Sequence, residues 1–367
     1  MRVRHLAAGT LALMVVGCAA PPTPGTGPVS TAPASATGVA SSSITPPDLK
    51  ACMVADASGF TDGAFNQSAH QGLLRAGAEL GVQTGEIQSP SEADYAASIQ
   101  SLVAAECDLI TVIGFKHADA AEAAAVANPQ VQFLLADAMP TTPQPNLKPL
   151  LFDPTEAAFL AGYLAASQSA TGAVGAFAAV RNADVLLFLN GYAQGVAYFN
   201  QVKATQVKVL GWDMGAQDGQ FISSLMPDQD VAAGKTTAQN LVAHGADVIF
   251  PVAGLAGTGA LQVAQESGGQ VRVIWADTDG CLSNPGFCPV ILTSVFKGLD
   301  VAVFDAIRHA LEGEVDNTAY HGTLANAGVG LSPFHEFDDQ VGGALKAELE
   351  GVRKGLVDGT IQLAAAG

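Results

Sequence analysis

Basic residues are scarce in this chain: 16 Lys and Arg stand against 34 Asp and Glu in 367 residues, a formal net charge of −18. Such a field repels a nucleic-acid backbone or an anionic membrane surface, so neither is an expected partner. Arginine is nearly absent from the loops that follow the apolar runs, with Arg181 the single candidate. A site for a carboxylate or phosphate would carry a fork of Arg donors, so a neutral, hydroxyl-rich ligand such as a sugar or nucleoside is expected. Metal ligands are lacking too. No His pair has ligand spacing and the cysteines do not match a zinc pattern, so neither metal nor cofactor is expected. Finally, the longest N-terminal apolar run, Leu6 to Val16, falls well short of a bilayer span.

That short run is informative in another way. Arg2 and Arg4 precede it and Val15-Val16-Gly17-Cys18 closes it, the pattern of a signal peptide over residues 1–17. The closing tetrad resembles the lipobox of bacterial lipoproteins, which implies lipidation of Cys18 and an extracytoplasmic, membrane-anchored protein. Residues 18–47 follow with mostly Ala, Pro, Gly, Ser and Thr, and no charge from 19 to 47. They read as a flexible tether. With 49% hydrophobic residues, the remainder can bury the cores of two domains.

From Leu49 onward, apolar runs alternate with helical stretches. Strands are expected at 51–56, 109–115, 131–137, 149–153, 172–179, 207–213, 247–253, 271–277 and 289–295. Helices are expected at 63–80, 92–105, 117–127, 154–168, 184–203, 217–225, 231–244, 258–267, 298–312 and 337–357. Continuous apolar strands joined by helices imply parallel sheets covered on both faces. Nine strands exceed one compact sheet, which favours two similar domains.

In open α/β sheets, ligands bind beyond the carboxyl ends of the strands. The first such turn, Asp56 to His70, carries Asp62, Phe65 and Asn66 at a helix start. Phe65 fits either a ligand-facing ring or a core position. Five strands end in Asp, at 56, 137, 153, 213 and 277. Carboxylates there accept from hydroxyl or amino groups, while each can also serve as a helix cap, Asp153 before Pro154 most clearly. Gly254 to Gly259 follows a strand and opens a helix, suiting either close ligand approach or tight packing. It lacks the P-loop Lys-Ser/Thr pair and the G-x-G-x-x-G spacing. Lys297, beside these carboxylates, could be held by Asp277 and donate to a ligand oxygen. Beyond Cys18, four cysteines suggest disulfides in an exported chain. Cys52 and Cys107 each start a strand; Cys281 and Cys288 bracket a Pro/Gly loop.

Taken in order, Asp62-Gly63-Ala64-Phe65-Asn66-Gln67, Phe159 to Ala165, Phe188-Leu189-Asn190-Gly191-Tyr192, Gly245-Ala246-Asp247-Val248-Ile249, Gly254 through Gly259, Asp277-Thr278-Asp279 and Thr293-Ser294 with Lys297 resemble the basic membrane protein family. These are substrate-binding lipoproteins that include purine-nucleoside receptors of ABC transporters. The resemblance implies an α/β, type I periplasmic-binding-protein fold: two doubly wound parallel-sheet lobes on a three-strand hinge. The lobes are expected at 48–152 with 283–316 and at 153–282 with 317–367. It further implies a monomer that delivers a nucleoside to an ABC permease and its ATPase. Phe65 and Phe188 map onto rings that sandwich the base, Asn66 and Asp137 onto positions reading its edge. The Gly254–Gly259 turn (Gly254 and Gly257), Asp277 and Lys297 map onto the surroundings of the ribose. Departures lie in the small-residue loop 56–62 and in Asp277-Thr278-Asp279-Gly280, where the family often has Asp-x-Asp-Gln.

Competing readings are a sensor ectodomain, a binder of another neutral solute such as a sugar, a nucleoside hydrolase, and a LacI-like regulator. The hydrolase would pack its Asp residues into one N-terminal loop, whereas here they are spread over separate strands. The regulator would need a helix-turn-helix and a basic surface.

Overall fold

In the computed structural model, residues 48–314 and 316–364 are described; the signal peptide, Cys18 and the tether lie outside them. The chain opens with β1 (Lys50–Ala55), α1 (Phe65–Leu80), β2 (Gln83–Gln88), α2 (Tyr95–Ala104), β3 (Leu109–Ile113), α3 (Ala118–Ala127), β4 (Gln132–Ala136) and β5 (Leu147–Phe152). Next come α4 (Thr155–Gln168), β6 (Ala173–Ala178), α5 (Ala183–Lys203), β7 (Lys208–Leu210), β8 (Trp212–Asp213), β9 (Asp218–Gly219), α6 (Val231–Ala243), β10 (Val248–Val252) and α7 (Thr258–Glu266). The last group is β11 (Arg272–Asp277), α8 (Gly280–Ser283), β12 (Ile291–Lys297), α9 (Leu299–Leu311), β13 (Tyr320–Gly322), β14 (Val329–Leu331) and α10 (Asp338–Val357).

Two six-stranded sheets result, ordered β13-β5-β4-β3-β1-β2 and β14-β12-β11-β10-β6-β7. All pairings in them are parallel except β12 with β14. This is the two-lobed, doubly wound fold expected. Central strands such as β1 and β3 are buried along nearly their whole length, as helices on both faces require.

Sheet membership moves the expected lobe boundaries. β12 pairs with β11 and therefore stays in the second lobe, while α9 after it packs against α1 of the first. β13 joins the first sheet beside β5. The chain thus crosses between lobes after Phe152, after Lys297 and after Gly322, not near residues 282 and 316. An apolar run reports burial and carries no label for its sheet. Two more corrections concern local structure. Residues 217–225, expected as helix, form β9 and an irregular segment. The expected strand 207–213 breaks at Gly211, where φ is +82°, into β7 and β8.

Helices α4 and α5 pack closely because Gly162, Gly191 and Gly195 remove side chains from the contact. A Cβ on any of them would lie 1.9–2.2 Å from a backbone carbonyl oxygen of the facing helix. One apolar cluster contains residues of both lobes, among them Met53, Leu73 and Phe152 with Phe250 and Ile274, so the hinge side is continuous core. Both candidate disulfides form: Cys52 joins Cys107, and Cys281 joins Cys288.

Candidate functional site

The β1–α1 loop starts α1 with an acid placed ahead of it. Asp62 is buried, and its two oxygens accept the backbone N–H groups of Ala64, Asn66 and Gln67, each at 3.0 Å. These are donors a helix N-terminus leaves unsatisfied. Burial pushes the Asp62 carboxyl up, with those three bonds opposing the shift. Asp62 therefore borders the cleft as a helix-starting group, with most of its acceptor capacity already engaged by the backbone. The start of α1 then presents Phe65 and Asn66. The Asn66 amide nitrogen donates to Asp56 Oδ1 at 2.8 Å, and the Ser58 N–H donates to the same oxygen at 3.0 Å.

Gly63 fixes this loop to the other lobe. Its φ is +69°, in the left-handed region glycine tolerates. Its carbonyl accepts from Trp275 Nε1 at 3.0 Å, Ser283 Oγ at 2.7 Å and Asn284 Nδ2 at 3.1 Å. All three donors belong to the second lobe, and two lie inside the loop closed by the Cys281–Cys288 bridge. A second contact between lobes is the ion pair of Lys116 Nζ with Asp228, at 2.6 Å.

At the centre is a buried cation among carboxylates. Lys297, 4% exposed at the end of β12, bonds Asp137 and lies 3.8 Å from Asp277. Asp137 directly follows β4 and Asp277 ends β11, in opposite lobes, and both hold positive φ, +57° and +71°. Asp is among the few residues that tolerate that region. Burial works against the Lys297 ammonium, yet the two carboxylates outweigh it and its pKa is raised. Asp277 is pushed up to about 6 by burial, with Lys297 opposing and Asp137 and Asp62 adding repulsion. The Lys297 nitrogen also lies 5.6 Å from the Phe65 ring centre and 4.9 Å from that of Phe188, within cation–π reach.

These groups face one cleft with about 850 Å³ of atom-free space, mouth included. Phe65, Asn66, Asp62, Asp137, Phe188, Gly254, Asp277 and Lys297 line it. Gly257 does not: it is buried in packing, and a Cβ there would meet the Trp275 ring at 3.1 Å. Gly254, with φ +52°, brings backbone to the cleft wall. Arg181 also turns away, pairing with Gln217 and Asp218. Two expected assignments change in detail. Lys297 is held chiefly by Asp137, with Asp277 second. Asp137 consequently carries a bound ammonium rather than a free edge for reading a base.

Several lining residues escaped the sequence reading: Phe115, Lys116, Asp184 and Asp228. Phe115 and Lys116 follow β3 after Gly114, so the strand-end rule applied to every strand would have found them. Behind them the fully buried His117 stacks on Tyr95 at 3.6 Å between ring centres. Burial lowers its pKa to about 4, so the ring is neutral at pH 7. Asp184 and Asp228 had no such signal. Two groupings of metal-capable side chains occur among the described residues, Asp279-Cys281-His335 and His309-Glu312-Glu314. Neither borders the cleft, and Cys281 is in a disulfide.

The fold and cleft define a two-lobed solute-binding protein. A family model described as "ABC transporter substrate-binding protein PnrA-like" matches residues 49–363. The chain belongs to this family, and its role is that of an ABC-transporter substrate-binding protein. It is 30% identical over 336 residues to the ABC transporter nucleoside-binding protein BmpA of Lactococcus lactis subsp. cremoris, covering 86% of this chain and 88% of that one. It is 30% identical over 272 residues to basic membrane protein A of Borreliella burgdorferi, 74% of each. A solved ABC-transporter solute-binding protein of Aeropyrum pernix superposes with a TM-score of 0.73 at 27% identity, covering 86% of this chain and 92% of the other.

Proposed function

We propose that this protein captures a nucleoside, a purine nucleoside by preference, between its lobes and delivers it to an ABC permease. The carrying observation is the arrangement at the cleft centre. Phe65 and Phe188 approach the Lys297 cation from different lobes, and that cation lies between Asp137 and Asp277. A base would stack on the rings, worth roughly 1–3 kcal/mol per base. The ribose hydroxyls would donate to Asp277 and accept from Lys297. Among the described residues, six carboxylates, two ammonium groups and no guanidinium line the cleft, which favours an uncharged ligand over an anion.

In this reading the protein binds and releases its ligand unchanged. It works as a monomer outside the cytoplasmic membrane, anchored through Cys18 by a lipid and the tether. The Lactococcus relative, which is a nucleoside-binding protein of an ABC transporter, supports the ligand class. Calorimetry with adenosine, guanosine and inosine on the purified full chain tests it. Saturable heat is expected with at least one, and free base should not accumulate on long incubation. Silence with all three, alongside binding of a sugar, would refute the ligand class.

A further inference from the structure

The main cleft does not end at Asp137. A neighbouring compartment, with about 810 Å³ of atom-free space including its mouth, shares both Asp137 and Asp184 with it. Its other walls include Met139, Phe152, His321 and Thr323, and among the described residues no Lys or Arg lines it. The compartment sits where the chain crosses between lobes, at the ends of β5 and β13.

Its carboxylates are not equivalent. Asp137 is bonded to Lys297, and Asp153 accepts from the backbone and hydroxyl of Thr155. Asp184 has neither hydrogen-bond nor ion-pair partner among the described residues. It sits in the first turn of α5, where Asn182 already caps the helix by accepting from the Val185 N–H at 2.8 Å. Its carboxylate is thus spare, half-buried, and placed at the opening between the two spaces.

We propose that this compartment is a subsite for the 5′ end of a bound nucleoside, where Asp184 accepts a neutral or cationic substituent and rejects a phosphate. The inference rests on the nucleoside reading, because that reading places the ribose at Lys297, the residue tied to the shared Asp137. A 5′ hydroxyl or ammonium can donate to Asp184. A 5′ phosphate brings a like charge to carboxylates that already outnumber the one ammonium near them, Lys297, which Asp137 holds.

The test is calorimetry at pH 7.5 and low salt with adenosine, 5′-amino-5′-deoxyadenosine and AMP, on the full chain and its Asp184→Asn and Asp184→Lys variants. The wild type should bind the amine at least as tightly as adenosine, and AMP roughly tenfold or more weakly. Asp184→Asn should shrink the amine-to-AMP affinity ratio by about tenfold, and Asp184→Lys should invert the preference. If adenosine binds but that ratio is the same in wild type and both variants, the subsite is refuted while the nucleoside reading stands. If adenosine, guanosine and inosine all fail to bind the wild type, both fall together.

Discussion

Replacing Asp277 by asparagine should stabilise the ligand-free protein at neutral pH while weakening its hold on a nucleoside. Asparagine has the same shape, and it tolerates the left-handed backbone that Asp277 adopts at φ +71°. What it removes is a carboxylate ionised in a buried place. Burial pushes the folded-state pKa up to about 6, against an ordinary carboxylate value of 3.8. For a raised acid the folded state binds the extra proton, so stability is highest below about pH 4 and is lost as pH rises through 6. Two units at about 1.4 kcal/mol each put the loss near 3 kcal/mol at pH 7. Burying the asparagine amide takes back part of this, which leaves an expected gain of about 1–3 kcal/mol. Urea unfolding of wild type and Asp277→Asn at pH 4 and pH 7.5 measures it. The stability difference should be small at the lower pH and should grow in favour of the variant across pH 4–6. Calorimetry should meanwhile show nucleoside affinity lower by about tenfold, as an acceptor for the ribose hydroxyls is lost. A variant no more stable than wild type at pH 7.5, with a pH-independent difference, would refute the account of Asp277 as a carboxylate held ionised against burial.

Phe65→Ala should raise the nucleoside dissociation constant roughly tenfold to a hundredfold, the loss of one stacking partner, with little change in unfolding midpoint. Removing Ser283 Oγ and Asn284 Nδ2 together by alanine takes away two of the three donors to the Gly63 carbonyl. Small-angle scattering of the ligand-free double variant should report a larger radius of gyration, and an unchanged radius would show that these bonds do not hold the lobes together. The Cys52–Cys107 bridge closes a 55-residue separation, and Cys281–Cys288 one of 7. On a chain-entropy basis, removing the first by paired alanines should cost up to about 4 kcal/mol and the second only about 2, read from denaturant midpoints. The reverse order would mean that the short bridge acts on the native lobes' contact rather than on the unfolded chain.

By itself the sequence determined the alternation of buried strands and helices, because central strands covered on both faces are continuous apolar runs. It also placed cleft-lining positions at strand ends: Phe65, Asn66, Asp137, Asp277 and Lys297 were all legible from the rule that open sheets bind beyond their carboxyl edges. β2 was not, since QTGEIQ is an exposed edge strand with no apolar run. Only the tertiary structure decided the rest. Lys297 and Asp137 are 160 residues apart, and Lys116 and Asp228 are 112 apart. No local pattern states which carboxylate a buried ammonium will choose, or that the carbonyl of Gly63 will gather three donors from the opposite lobe. Periodicity records whether a residue is covered. What covers it depends on how the two sheets pack about the hinge, and that packing set the membership of β12 and β13 and left Asp184 without a hydrogen-bond or ion-pair partner among the described residues.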